Sequence, residues 1–77
     1  MDAETAIWAL LAKRAPGATI CPSEAARLLS PEGWRARMDE VRGVGARLAA
    51  EGRLAVLQGG RAVDPAAAGP IRYGALP

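Results

Sequence analysis

One continuous stretch, Trp34 to Val63, constrains the fold of this chain more than any other part. Trp34, Met38, Val41, Val44, Gly45 and Leu48 gather on one side at helical spacing. Arg35, Asp39, Arg42 and Ala46 form a strip beside them, and Glu40, Gly43, Arg47 and Ala50 face further out. A helix from Pro31 or Trp34 to Ala50 is expected. Gly52 then suits the left-handed residue that stops a helix. Arg53 to Gln58 alternates loosely, with Leu54, Val56 and Leu57 apolar. Gly59-Gly60 fits the primed turns that match the twist of a two-stranded ribbon. Arg61-Ala62-Val63 returns, and Asp64-Pro65 closes the ribbon. A helix running straight into a hairpin leaves few architectures open.

The segments before it narrow the choice. Asp2 is expected to cap a first helix reaching about Arg14, with Glu4 in the first turn, where negative charge opposes the helix dipole favourably. Ala3, Ile7, Leu10, Leu11 and Arg14 share a stripe, and Pro16-Gly17 ends the helix. Thr19-Ile20 is a β-branched pair that favours extended backbone. Pro22 fits the first position of a second helix, Pro22 to Leu29, and Glu24 lies where a capping box with Cys21 needs it. Ala25, Leu28 and Leu29 are expected to point inward. Ser30-Pro31 ends that helix and can begin the next. Pro70 to Tyr73 forms a further extended piece, and residues 74–77 are expected to fray. The order predicts a single α+β domain over 1–77, a winged helix-turn-helix. It has three helices, a short strand and a C-terminal β-hairpin wing tipped by Gly59-Gly60.

Seventy-seven residues make one small domain, whose core is marginal without well-packed helices, an interlocking hairpin or self-association. A single Cys21 excludes an internal disulfide framework, and the lack of histidine argues against a zinc site. No apolar run approaches the roughly 18–20 residues that span a bilayer. The acidic start, Met1-Asp2-Ala3-Glu4, is unlike a secretory signal, so cytoplasmic residence is the expectation.

The formal net charge is only +2, and its distribution says more. Up to Glu40 there are five basic and six acidic residues; from Val41 onward there are five basic and two acidic. The excess falls on the later part of the long helix and on the ribbon, where a phosphate-binding surface needs it. Nine of the ten cations are arginine, whose planar fork suits bidentate contact with phosphate or guanine. A chain rich in Ala and Gly also offers a compositional origin for the arginine.

Catalysis is not expected, and neither is a cofactor or a metal. There is no histidine to act as base, no Gly-x-Ser-x-Gly and no phosphate loop. Ser23 beside Glu24 reads as a helix start rather than an acid–base pair. Cys21 at a helix start is open to a redox role, but a lone cysteine is more often a small buried or capping residue. The candidate nucleic-acid-binding residues are Arg35, Arg42 and Arg47 on the third helix and Arg61 at the ribbon tip. Arg61 stands out, because a glycine turn has no core to support. Against this, Asp39 and Glu40 on the same helix repel phosphate, and Arg35 is expected to pair with Asp39 four residues on. Trp8 and Trp34 read as packing residues before base-stacking platforms. Double-stranded DNA is the leading expected partner. A protein partner or homodimer is the alternative, on the same fold without nucleic acid.

Several segments together carry a resemblance. They are Ile20-Cys21-Pro22-Ser23-Glu24-Ala25-Ala26-Arg27, then Trp34-Arg35 with Met38, Val41-Arg42 and Leu48, then Gly52-Arg53-Leu54. Gln58-x-Gly60, Val63-Asp64-Pro65 and Gly69-Pro70-Ile71-Arg72 complete the set. From Ile7 to Tyr73 the chain resembles a family of short bacterial proteins classed as a domain of unknown function and winged-helix in type. The resemblance implies a fold and no reaction, and it assigns no catalytic residue.

Overall fold

The computed structural model describes residues 1–76. Three helices pack on one another and against an antiparallel sheet, an α+β arrangement. Helix α1 (Ala3–Ala12) begins as its sequence requires: Asp2 is extended and its carboxylate accepts from Thr5 N–H at 2.8 Å. Lys13 closes the helix, so Arg14 lies beyond it. Strand β1 (Thr19–Ile20) follows, then helix α2 (Pro22–Leu29). Glu24 reaches back to Cys21 N–H at 2.7 Å, and its carboxylate also pairs with Arg14, tying the end of α1 to the start of α2.

That anchor sets a pH dependence. The Cys21 N–H holds the Glu24 carboxyl below its ordinary value, with burial opposing and Arg14 adding. A carboxyl lowered on folding stabilises above the ordinary glutamate range and loses that contribution as pH falls through its folded pKa. Glu24→Gln is expected to lower Tm at neutral pH and to flatten the fall in Tm on acidification. Thermal melts of both proteins from pH 7 downward measure this.

The third helical segment differs from its expected form. Residues 31–33 turn, Trp34–Arg37 wind as a 3-10 helix, and helix α3 proper is Met38–Ala50. Gly33, at φ −106°, starts the 3-10 turn without a side-chain cap. The expected Arg35–Asp39 pair does not form among the described residues: Arg35 belongs to the tighter 3-10 winding, not to α3, and lies over the Trp34 ring. Arg37 pairs with Glu40 instead, three residues on, at 2.8 Å. Gly52 ends the helix at φ +72°, where an L side chain is strained, and Arg53 N–H closes on Leu48 C=O at 2.9 Å.

Strand β2 (Leu54–Gln58) turns back through Gly59 and Gly60, at φ +60° and +80°, into β3 (Arg61–Ala62). Leu57 faces Ala62, Gln58 faces Arg61, and Val63 N–H bonds Val56 C=O at 3.0 Å. The expected hairpin is there, but it is not the main partner of β2. That partner is β4 (Arg72–Ala75), which aligns with Leu54–Leu57 on one side and with β1 on the other. The sheet order is β1-β4-β2-β3. Gly74 and Ala75 are therefore paired strand residues rather than a frayed end; Pro77 lies outside the described residues. Gln58 Nε2 holds the intervening loop through Ala68 C=O and Pro70 C=O, at 2.9 and 3.1 Å.

The core joins Ile7 and Leu11 of α1, Ala25 and Ala26 of α2, and Val41 and Leu48 of α3. Ile20, Val56, Ile71 and Tyr73 come from the sheet side. Helix α2 buries its two alanines, so Leu28, expected inside, is 40% exposed. Trp8 and Trp34 pack against the core while partly exposed. Tyr73 lies fully buried between Ile20 and Val56 in register, and its ring and hydroxyl occupy the space above Gly45.

Candidate nucleic-acid interface

The arginines divide into those neutralised by carboxylates and those that are not. Glu4, in the first turn of α1, takes Arg47 at 2.8 Å, Arg53 at 3.1 Å and Trp8 Nε1 at 3.1 Å. Glu51, just past α3, takes the same two arginines at 3.3 and 3.2 Å. Two carboxylates and two guanidiniums thus lock α1, the end of α3 and the start of β2. The Arg47 hydrogen bond holds the Glu4 carboxyl below its ordinary value, with Trp8 and Arg53 adding. Arg47 is one of the four candidates, and it spends its charge inside this network.

The other three candidates lie elsewhere. Arg35 sits in the 3-10 turn, exposed, with its guanidinium 4.4 Å from the centre of the Trp34 ring. Arg42 is half-buried on α3, close enough that its charge opposes the rise that burial imposes on the Tyr73 hydroxyl. Arg61 is exposed at the first position after the Gly59-Gly60 turn. Among the described residues none of these three forms an ion pair with a carboxylate.

Arg27 lies outside the four candidates. It stands in the last turn of α2, exposed, and its guanidinium lies 4.3 Å from the same Trp34 ring. The contact crosses the turn between α2 and the 3-10 segment, so no helical spacing announces it. Arg72 plays a different part. Its guanidinium donates to Thr19 Oγ1 at 2.6 Å, Thr19 C=O at 3.0 Å and Cys21 Sγ at 3.0 Å, stitching β4 to β1 and the start of α2.

A second feature lies on the far half of α3. Ala46, Ala49, Leu54, Val56, Val63 and Pro65 line an open apolar hollow of about 660 Å³. Among the described residues no three His, Cys, Asp or Glu side chains cluster to hold a metal ion, and no helix is long and apolar enough to cross a membrane.

These features define a small α+β domain with partly compensated arginine chemistry. The chain belongs to the family described as protein of unknown function (DUF3253), whose family model matches residues 1–76. No curated protein matches it.

Proposed function

We propose that the domain binds double-stranded DNA as a winged helix, through the 3-10 turn and α3 on one side and the β2–β3 turn on the other. The observation that carries this reading is the placement of the uncompensated cations. Carboxylates neutralise Arg14, Arg37, Arg47 and Arg53, while Arg35, Arg42 and Arg61 are left to meet an external anion. Guanidinium groups without a carboxylate partner favour phosphate contact. The order helix, strand, helix, helix and antiparallel strands supports the winged-helix assignment. The role is binding rather than catalysis.

Arg35, Arg42 and Arg61 carry the contact, and Arg47 serves the Glu4–Glu51 network. Titration of labelled duplex at low and moderate salt tests the reading. Binding is expected at about 50 mM salt, falling steeply as salt rises, and its absence there overturns the proposal. Arg61→Gln is expected to make the slope of log K against log salt shallower by about 0.9, one phosphate contact.

A protein-interaction role on the same fold is the second reading, and the apolar hollow beside α3 favours it. It predicts a partner, or a second copy, that stays bound after nuclease treatment and is lost in Ala49→Glu. Light scattering on the purified protein and on the nuclease-treated complex decides between them.

A further inference from the structure

Trp34 carries two guanidinium groups rather than one. Arg27 approaches from α2 and Arg35 from the 3-10 turn, at 4.3 and 4.4 Å from the ring centre. Both are exposed, and Trp34 is half-buried and packed on the core. Two like charges drawn to one ring repel each other. Arg14, Arg37, Arg47 and Arg53 are relieved by Glu24, Glu40, Glu4 and Glu51; here, among the described residues, no carboxylate pairs with either group. Neither guanidinium donates a hydrogen bond to the protein among those residues, so the in-plane N–H donors of both are free. The ring quadrupole holds each cation at the cost of none of its donors. An indole packed on the core therefore carries two guanidinium groups with unsatisfied donors, each within 4.4 Å of one ring centre, across the turn between α2 and the 3-10 segment.

We propose that Arg27, Trp34 and Arg35 form a phosphodiester anchor, in which Trp34 positions the two guanidinium groups for phosphates of one strand of duplex DNA. This rests on the DNA-binding reading and adds to it a residue of α2 and a platform. Phosphate oxygens complete the guanidinium forks in plane, and the added negative charge removes the repulsion between the two cations. The indole acts through the arginines and needs no base contact.

Salt-dependent binding of a duplex of about 20 base pairs, between about 50 and 200 mM salt, tests the anchor in the full chain. Arg27→Gln and Arg35→Gln are each expected to make the log–log slope shallower by about 0.9, and the double variant by about twice that. Trp34→Leu is expected to weaken binding with net charge unchanged, and Trp34→Phe, which keeps an aromatic face, to recover part of the loss. Circular dichroism shows whether each variant is folded, and the exposed arginine variants keep the test intact if the tryptophan variants unfold. Binding by the double arginine variant with the parental slope overturns the anchor and leaves the DNA reading standing. No binding by the parent protein at about 50 mM salt overturns both. A folded Trp34→Leu variant with parental affinity overturns the platform.

Discussion

Gly45→Ala is expected to destabilise the domain by about 2 kcal/mol, although alanine is the better helix former by about 1 kcal/mol. A Cβ on Gly45 falls into the hydroxyl and Cζ of Tyr73, with Cε1 at 2.9 Å. The ring has no open space to move into, because Tyr73 is fully buried, and its backbone is held by pairing with Ile20 and Val56. Overpacking a closed site of this kind typically costs about 1–3 kcal/mol, and a clash with a ring held by the sheet falls at the upper end. In a domain of this size about 2 kcal/mol lowers Tm by roughly 10 °C. Gly43, two residues earlier on α3, is the internal control: a Cβ there meets nothing within 4 Å. Gly43→Ala is expected to raise stability by about 0.5–1 kcal/mol. Thermal melts of the two variants should move in opposite directions; a rise in Tm for both refutes the account of the Gly45–Tyr73 contact.

The second large effect comes from the other side of that contact. Tyr73→Ala removes the largest fully buried side chain and leaves its space between α3 and the sheet. Truncating a large aromatic in a core costs about 3–5 kcal/mol. A chain of this length has roughly 4–12 kcal/mol to lose, so the variant is expected to be partly unfolded or to unfold at a much lower urea concentration. Tyr73→Phe keeps the ring and is expected to cost about 1 kcal/mol or less. Equilibrium urea unfolding reads both, and a Tyr73→Ala midpoint equal to that of the parent shows that the ring does not lock the sheet to α3.

Tyr73 also marks where sequence reasoning reached its limit. Features set within a few residues were legible: the Asp2 cap, Glu24 folding back to Cys21, the Gly52 stop and the paired positive φ angles of Gly59 and Gly60. Each depends on backbone geometry that a neighbouring residue supplies. The pairing of β2 with β4 joins segments separated by a loop that carries no periodicity, and the short return Arg61–Ala62 is the more visible partner in sequence. Of the residues expected inward on α2, Ala25 is buried, but the buried face is centred on Ala25 and Ala26, and Leu28 falls off its edge. The candidate interface followed the same division. The exposed position of Arg61 was readable from its turn. The capture of Arg47 by Glu4, far away in sequence, and the meeting of Arg27 with Trp34 are products of helix packing.

The Glu4–Arg47–Arg53–Glu51 network has a thermodynamic consequence of its own. Glu4 and Glu51 are counterions attached covalently to the chain. Mobile ions condensed around a polyanion leave when a cation displaces them, and their release drives association at low salt. A carboxylate fixed in the first turn of a helix cannot be diluted away, so Arg47 and Arg53 keep an anion beside them in weak electrolyte, and added salt only screens these half-exposed pairs. If the domain binds a polyanion as proposed, the expected salt dependence is set by which arginines the fold leaves without a tethered anion, and not by how many its composition contains.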